Sequence, residues 1–218
     1  MTVLVSKPAV NLRSELASLR NQGGYQEQQF YLDGLITNGT FETTSGWNGI
    51  AATTDSRWYI DNGRLTKGGT NGTAAQIVNP LISGQSYKVE IDVIARPLGD
   101  VRIGIGDVSY TITSTLGTQS VVLSPTDINN GIRLFTGGAG GGGVILDNLY
   151  VFEVDANGNA IYTMPKGWVP KDVYEDGLLQ REGAAYDYEV IYDGFDYKIK
   201  STVAPSATTQ TCVIGVKA

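Results

Sequence analysis

The stretch LITNGTFETTSGW, Leu35 to Trp47, decides how this chain is read. It holds an Asn-Gly-Thr triplet at Asn38 and opens a region rich in strand signals. A second such triplet stands at Asn71. An Asn-Gly pair supplies the positive backbone angles of a tight turn. No export signal precedes either triplet, so both read as turns rather than glycosylation sites.

From this stretch to about residue 154, apolar residues alternate with polar ones. Tyr87, Val89, Ile91 and Val93 alternate with Lys88, Glu90 and Asp92, which predicts a half-buried strand. Val101, Ile103 and Ile105 repeat the pattern, followed by Tyr110 and Ile112, then SVVL and IRLF. VILDNLYVFEV is nearly all apolar, as a strand in a sandwich core would be. Turn signals such as DNG, LGD and INNG separate these runs. Short strands at this spacing without helices predict an all-β, jelly-roll β-sandwich over residues 35–154.

The flanks differ. Residues 1–34 predict a short N-terminal helix and a polar linker. Pro8 and Asn11 mark the helix start, Leu12, Leu16 and Leu19 form one apolar stripe, and Gly23-Gly24 ends it. A helix this short is marginal alone. The stripe therefore packs either on the chain's own sandwich or on a neighbouring subunit, where it would be an assembly anchor. Residues 155–218 predict a small C-terminal β domain with hairpins bent at Asp176-Gly177 and Asp193-Gly194. Trp168 is expected to plug the junction between the two β modules.

Composition excludes several functions. The net charge is −6, and Lys and Arg form no run, which argues against a nucleic-acid surface. No apolar run is long enough for a transmembrane helix, so no membrane insertion is expected. With no histidine and one cysteine, neither a Ser-His-Asp nor a Cys-His arrangement can be built. Cys212 reads as a small buried hydrophobe. Gly138 to Gly143 match G-x-G-x-x-G, but a strand rather than a helix follows, so the segment reads as a hairpin loop. The expectation is a protein that is not an enzyme.

Two kinds of binding stay open. Calcium needs several oxygen ligands including a carboxylate, and Glu42 and Asp147 are candidates if the first and last sandwich strands meet; otherwise Glu42 is solvated and Asp147 caps a turn. Aromatic rings cover the apolar face of a sugar, which makes Trp47, Trp58, Tyr59 and Tyr110 candidates for glycan contact. Trp58 and Ile60 share one face of a strand with Tyr59 opposite, and a tryptophan so placed is commonly core.

LITNGTFETTSGW, RWYIDNGRL, YKVEIDVIA and VILDNLYVFEV together resemble a carbohydrate-binding-module-like jelly roll of the galactose-binding type. In that family the acidic residue of the opening phrase and the aspartate of the last strand hold a structural calcium, which the resemblance carries to Glu42 and Asp147. The flanks resemble proteins of tailed bacteriophages. SKPAVNLRSELASLR is similar to the N-terminal segment of tail and fibre-type proteins, and PKDVYEDGLLQREGAAYDYEV to a small tail-fibre β repeat. Together these imply a non-enzymatic structural component of a virion, as tail fibre, adaptor or capsid decoration, made in the bacterial host cytoplasm. Its N-terminal segment would dock on other virion proteins, capsid or tail. A homo-oligomer, first a trimer, and contact with host glycans are expected. The alternative is a stand-alone carbohydrate-binding module.

Overall fold

Tyr87, Val89, Ile91 and Val93 project from one face of a ten-residue strand into a core where each is at most 1% exposed. The computed structural model describes residues 27–31, 34–36, 38–51, 57–69, 72–76, 81–95, 99–136, 143–202 and 211–217. The helix read at Leu12, Leu16 and Leu19, the Asn71 turn and the core of the glycine loop at 137–142 lie outside them. All regular structure among the described residues is β. In chain order the strands are β1 (Glu27–Tyr31), β2 (Ile50–Ala51), β3 (Trp58–Asp61), β4 (Arg64–Lys67), β5 (Thr73–Gln76) and β6 (Ser86–Ala95). There follow β7 (Val101–Ile105), β8 (Val108–Thr111), β9 (Gly117–Leu123), β10 (Ile132–Thr136), β11 (Ile145–Val154) and β12 (Ala160–Thr163). The last are β13 (Trp168–Glu175), β14 (Leu178–Leu179), β15 (Tyr188–Tyr192), β16 (Tyr197–Ser201) and β17 (Thr211–Lys217).

Two sheets enclose the main core. The front sheet has four strands in the order β5-β10-β7-β8. The back sheet has nine strands, runs through β11, β4, β3 and β2, and carries β6 and β9 on the other edge of β11. Ala74, Val101, Ile103, Ile105, Ile132 and Leu134 from the front meet Trp58, Leu65, Val89, Ile91, Leu146 and Val151 from the back, all buried. Each valine, leucine or isoleucine among them contributes about 1.5–3 kcal/mol by leaving water. The alternation read from the sequence therefore assigns the inward face of both layers.

The opening stretch lies beside the last strand of this sandwich. Leu35 N–H donates to the Val151 carbonyl at 2.7 Å, and Leu149 N–H donates to the Gly39 carbonyl at 2.9 Å. A Cβ on Gly39 would sit 2.0 Å from the Leu149 carbonyl oxygen, so only glycine permits this approach. Asn38 takes the left-handed conformation beside it, with φ 56°. Phe41 and Trp47 then turn inward, their ring centres 5.5 Å apart, and close that end of the core.

β11 serves two units. Along one edge it pairs with β6 from Ile145 to Val154. Along the other it meets β4, then Gly39 and Leu35, then β12 at Glu153 and Val154. β12, β16 and β15 continue this sheet into the second unit. There a separate sheet, β1-β17-β13-β14, packs over a core of Met164, Val173, Tyr188, Ile199 and Val213.

Three sequence expectations change here. Residues 27–31, read as part of a linker, form the edge strand β1 paired with β17. Trp168 packs on Phe30 inside the second unit, ring centres 5.0 Å apart, rather than at the junction. Cys212 is half-buried rather than buried. Both hairpins form where expected: β13 and β14 flank Asp176-Gly177, and β15 and β16 flank Asp193-Gly194.

Candidate functional site

The residues singled out from the sequence do not make one surface. Trp58 is fully buried, and its Nε1 donates to the Gly72 carbonyl at 3.0 Å. It offers no face to a sugar, because β3 turns it into the core. Trp47 is buried as well. Tyr59 is half-buried on the outward side of the back sheet, opposite Trp58. Tyr110 leans towards the core beside Ile112, and its hydroxyl donates to Gln119 Oε1 at 3.3 Å. The two tyrosines belong to different sheets.

Glu42 and Asp147 approach one hairpin. The carboxylate of Glu42 lies over Gly63 at the β3–β4 turn. Asp147 Oδ2 lies 3.5 Å from Arg64 Nε, and its Oδ1 accepts from the Asn148 N–H at 2.9 Å. Asn148, at φ 46°, donates in turn to Asp92 Oδ2 at 2.9 Å. The donor set fits a calcium ion poorly, since the Arg64 cation already sits on Asp147. No group of three or more acidic, histidine or cysteine ligands occurs among the described residues.

The outward face of the front sheet has a different character. Its geometry follows from register. Ile103, Ile105, Ile132 and Leu134 point inward, so Arg102, Gly104, Arg133 and Phe135 point out. Pairing places Thr73, Phe135, Arg102 and Thr111 in one row across four strands. The next row reads Ala75, Arg133, Gly104 and Ser109. Gly104 is the floor. A Cβ there would meet the Phe135 ring at 3.1 Å and Arg133 Nε at 3.4 Å. The absence of a side chain lets both lie down on the sheet. The Arg133 guanidinium carbon stands 4.8 Å from the centre of the Phe135 ring.

The two arginines are held differently. Arg102 lies against Asp100, with Nε 2.9 Å from each carboxylate oxygen. That hydrogen bond holds the Asp100 carboxyl below its ordinary range and Arg102 above its own. Arg133 Nη2 donates to the Gly106 carbonyl at 3.1 Å, while its Nε is buried and unpartnered. Arg64, Arg102 and Arg181 each lie against an aspartate; among the described residues Arg133 does not. The acceptor Gly106 is fixed by its turn. Asp107 accepts from Thr126 Oγ1 at 2.7 Å, and this bond, with the Asp127 and Thr126 amides, lowers the Asp107 carboxyl against its small desolvation.

Sequence reading passed over this face. The signal was present as Arg133-x-Phe135 in an alternating strand and as a glycine between Ile103 and Ile105. The face combines an aromatic surface, a guanidinium with no ion pair among the described residues, and hydroxyls on flanking strands. It can stack on a ring and donate hydrogen bonds.

Among known proteins, no family model matches this chain and no curated protein does. Solved structures similar over part of it include two carbohydrate-binding modules. One is a CBM4 module, 18% identical at a TM-score of 0.35, spanning 54% of this chain and 99% of its own. The other is a variant of a family 29 carbohydrate binding module complexed with cellulohexaose, 15% identical at a TM-score of 0.34, spanning 59% of this chain and 92% of its own. Likeness at this level places the chain in no family.

Proposed function

We propose that this chain is a non-catalytic glycan-binding β-sandwich protein whose contact surface is the outward face of the front sheet. The observation that carries the reading is the Phe135–Arg133 pair laid over Gly104, flanked by Thr73, Ser109 and Thr111. An aromatic surface packs on the C–H face of a pyranose, while the neighbouring donors fix its hydroxyls. The resemblance of the opening stretch to sugar-binding modules agrees with it. Affinity electrophoresis through gels containing neutral glucans, xylan or acidic polysaccharides tests it. Retardation by at least one polymer, weakened about tenfold by Phe135→Ala, is the expected result. Free migration through all of them would remove the reading. A structural calcium at Glu42 and Asp147 is no part of the proposal, since Arg64 already lies 3.5 Å from Asp147 Oδ2; a melting temperature unchanged by chelator is the expected result.

A second reading, a bacteriophage virion component docked by its N-terminal segment, draws on the second unit. Phe195 is 86% exposed at the β15–β16 bend, and Leu178 is 71% exposed beside Leu179 at the β13–β14 bend. Apolar tips of this kind suit contacts in an assembly. Light scattering separates the two readings. A trimer favours the virion component, and loss of particle incorporation on deleting residues 1–24 would identify the anchor.

A further inference from the structure

Arg133 is a cation with little to do in the folded chain. Guanidinium carries five donors in a planar fork. Among the described residues Arg133 makes one hydrogen bond, from Nη2 to the Gly106 carbonyl, and no ion pair with a carboxylate. Its Nε is desolvated without a partner. A buried unpartnered donor is costly and rare in native proteins. The side chain is nevertheless held flat by Phe135 and the glycine floor. The chain as a whole is acidic, so this cation is not one of many on a basic surface. Arg102 stands on the adjacent strand at the next register position and adds a second guanidinium, matched by Asp100 at the rim.

We infer that the ligand of this face is a uronate-bearing polysaccharide, its carboxylate held by Arg133 and its sugar ring packed on the Phe135–Arg133 surface. This rests on the glycan-binding reading above. A planar carboxylate matches the guanidinium fork and supplies the missing counter-charge. The hydroxyls of Thr73 and Ser109 lie in the same two rows as Phe135 and Arg133 and serve the sugar hydroxyls, while that of Thr111 donates to Asp100. A nucleic acid fits poorly, because phosphate chains are bound by many cations in line and this chain has no basic run.

The test uses the full chain with polygalacturonate and alginate, each beside its carboxyl-reduced form, and with xylan and neutral β-glucans, at about 0.15 M salt, where the Debye length of ~8 Å limits repulsion from the acidic protein. Isothermal titration of wild type, Arg133→Gln and Arg133→Lys is compared, with thermal melts confirming that each variant folds. The expected result is binding to a carboxylated polymer at least tenfold tighter than to its reduced form. Arg133→Gln removes that preference, and Arg133→Lys, which keeps charge but loses the fork, restores only part of it. Equal or tighter binding of reduced or neutral polymers overturns the inference and leaves glycan binding standing. A preference that survives Arg133→Gln overturns the assignment to this residue. No binding to any polymer overturns both.

Discussion

The indole Nε1 of Trp58, in the back sheet, donates to the carbonyl of Gly72, which leads into β5 of the front sheet. One hydrogen bond thus ties the two layers inside the core. Trp58→Phe keeps a ring but strands the Gly72 carbonyl, and is expected to cost about 1–3 kcal/mol. Trp58→Ala leaves a cavity and costs about 3–5 kcal/mol. Urea unfolding followed by circular dichroism checks both. An alanine variant as stable as wild type would contradict the tie.

Gly106 has φ 57°, and a Cβ there would lie 1.8 Å from the Asp127 carbonyl oxygen. Gly106→Ala must therefore move the β7–β8 turn, which also moves the acceptor of Arg133. A loss of more than about 3 kcal/mol is expected. Gly117, at φ 96° with open space around it, is the control. Alanine there meets only the backbone penalty of about 1–2 kcal/mol. Equal losses at the two positions would show that the close approach does not matter.

Asp155 contributes to the acid dependence of the second unit, alongside Asp193. Desolvation raises its carboxyl, but bonds from the Asn159 amide, Lys200, the Asn159 side chain and the Asn157 amide outweigh it and hold the value at about 2, below the ordinary 3.8. A depressed carboxyl stabilises the fold above its unfolded value, and that stability is lost as pH falls from 3.8 through about 2. Asp155→Asn should flatten the stability profile in this window and lower the melting temperature slightly at neutral pH. A melting series from pH 2 to pH 7 provides the measurement. Parallel curves for variant and wild type would refute the assignment.

Phe30 connects the edge strand β1 to the second core. Its ring meets Trp168 edge-on, and Gly215 makes room for it, since a Cβ there would lie 2.9 Å from the ring. Phe30→Ala should weaken the second unit by about 2 kcal/mol. Urea unfolding followed by circular dichroism, compared between Phe30→Ala and wild type, checks the loss.

Tyr110 separates core from contact surface. Tyr110→Phe removes its bond to Gln119 and should cost about 1 kcal/mol at most, with glycan retardation unchanged. Weakened retardation by a folded Tyr110→Phe variant would move the site away from the outward face.

Alternation made much of the sandwich readable in advance. The sets at Tyr87–Val93 and Val101–Ile105 have period two, and that period alone assigns their inward side. The two Asp-Gly bends were legible because their backbone angles are local chemistry. What stayed hidden depends on partners distant in sequence. Nothing in EQQFY announces that it will pair with TCVIGVK. The meeting of Phe135, Arg133 and Gly104 likewise depends on the register between β10 and β7. Trp58 illustrates the opposite difficulty. It shares one side of β3 with Ile60, opposite Tyr59, but which side becomes the core is settled by the facing sheet.

A strand shared by two units has a mechanical meaning. β11 pairs with β6 at both of its ends, with a break at Asn148 and Leu149, and hands its other edge from β4 to β12. Tension applied between the two units would load those bonds side by side, in shear, rather than straighten a slack tether. The second unit is therefore carried as a stiff lever on the first. A ligand caught at one end would transmit its pull to the other.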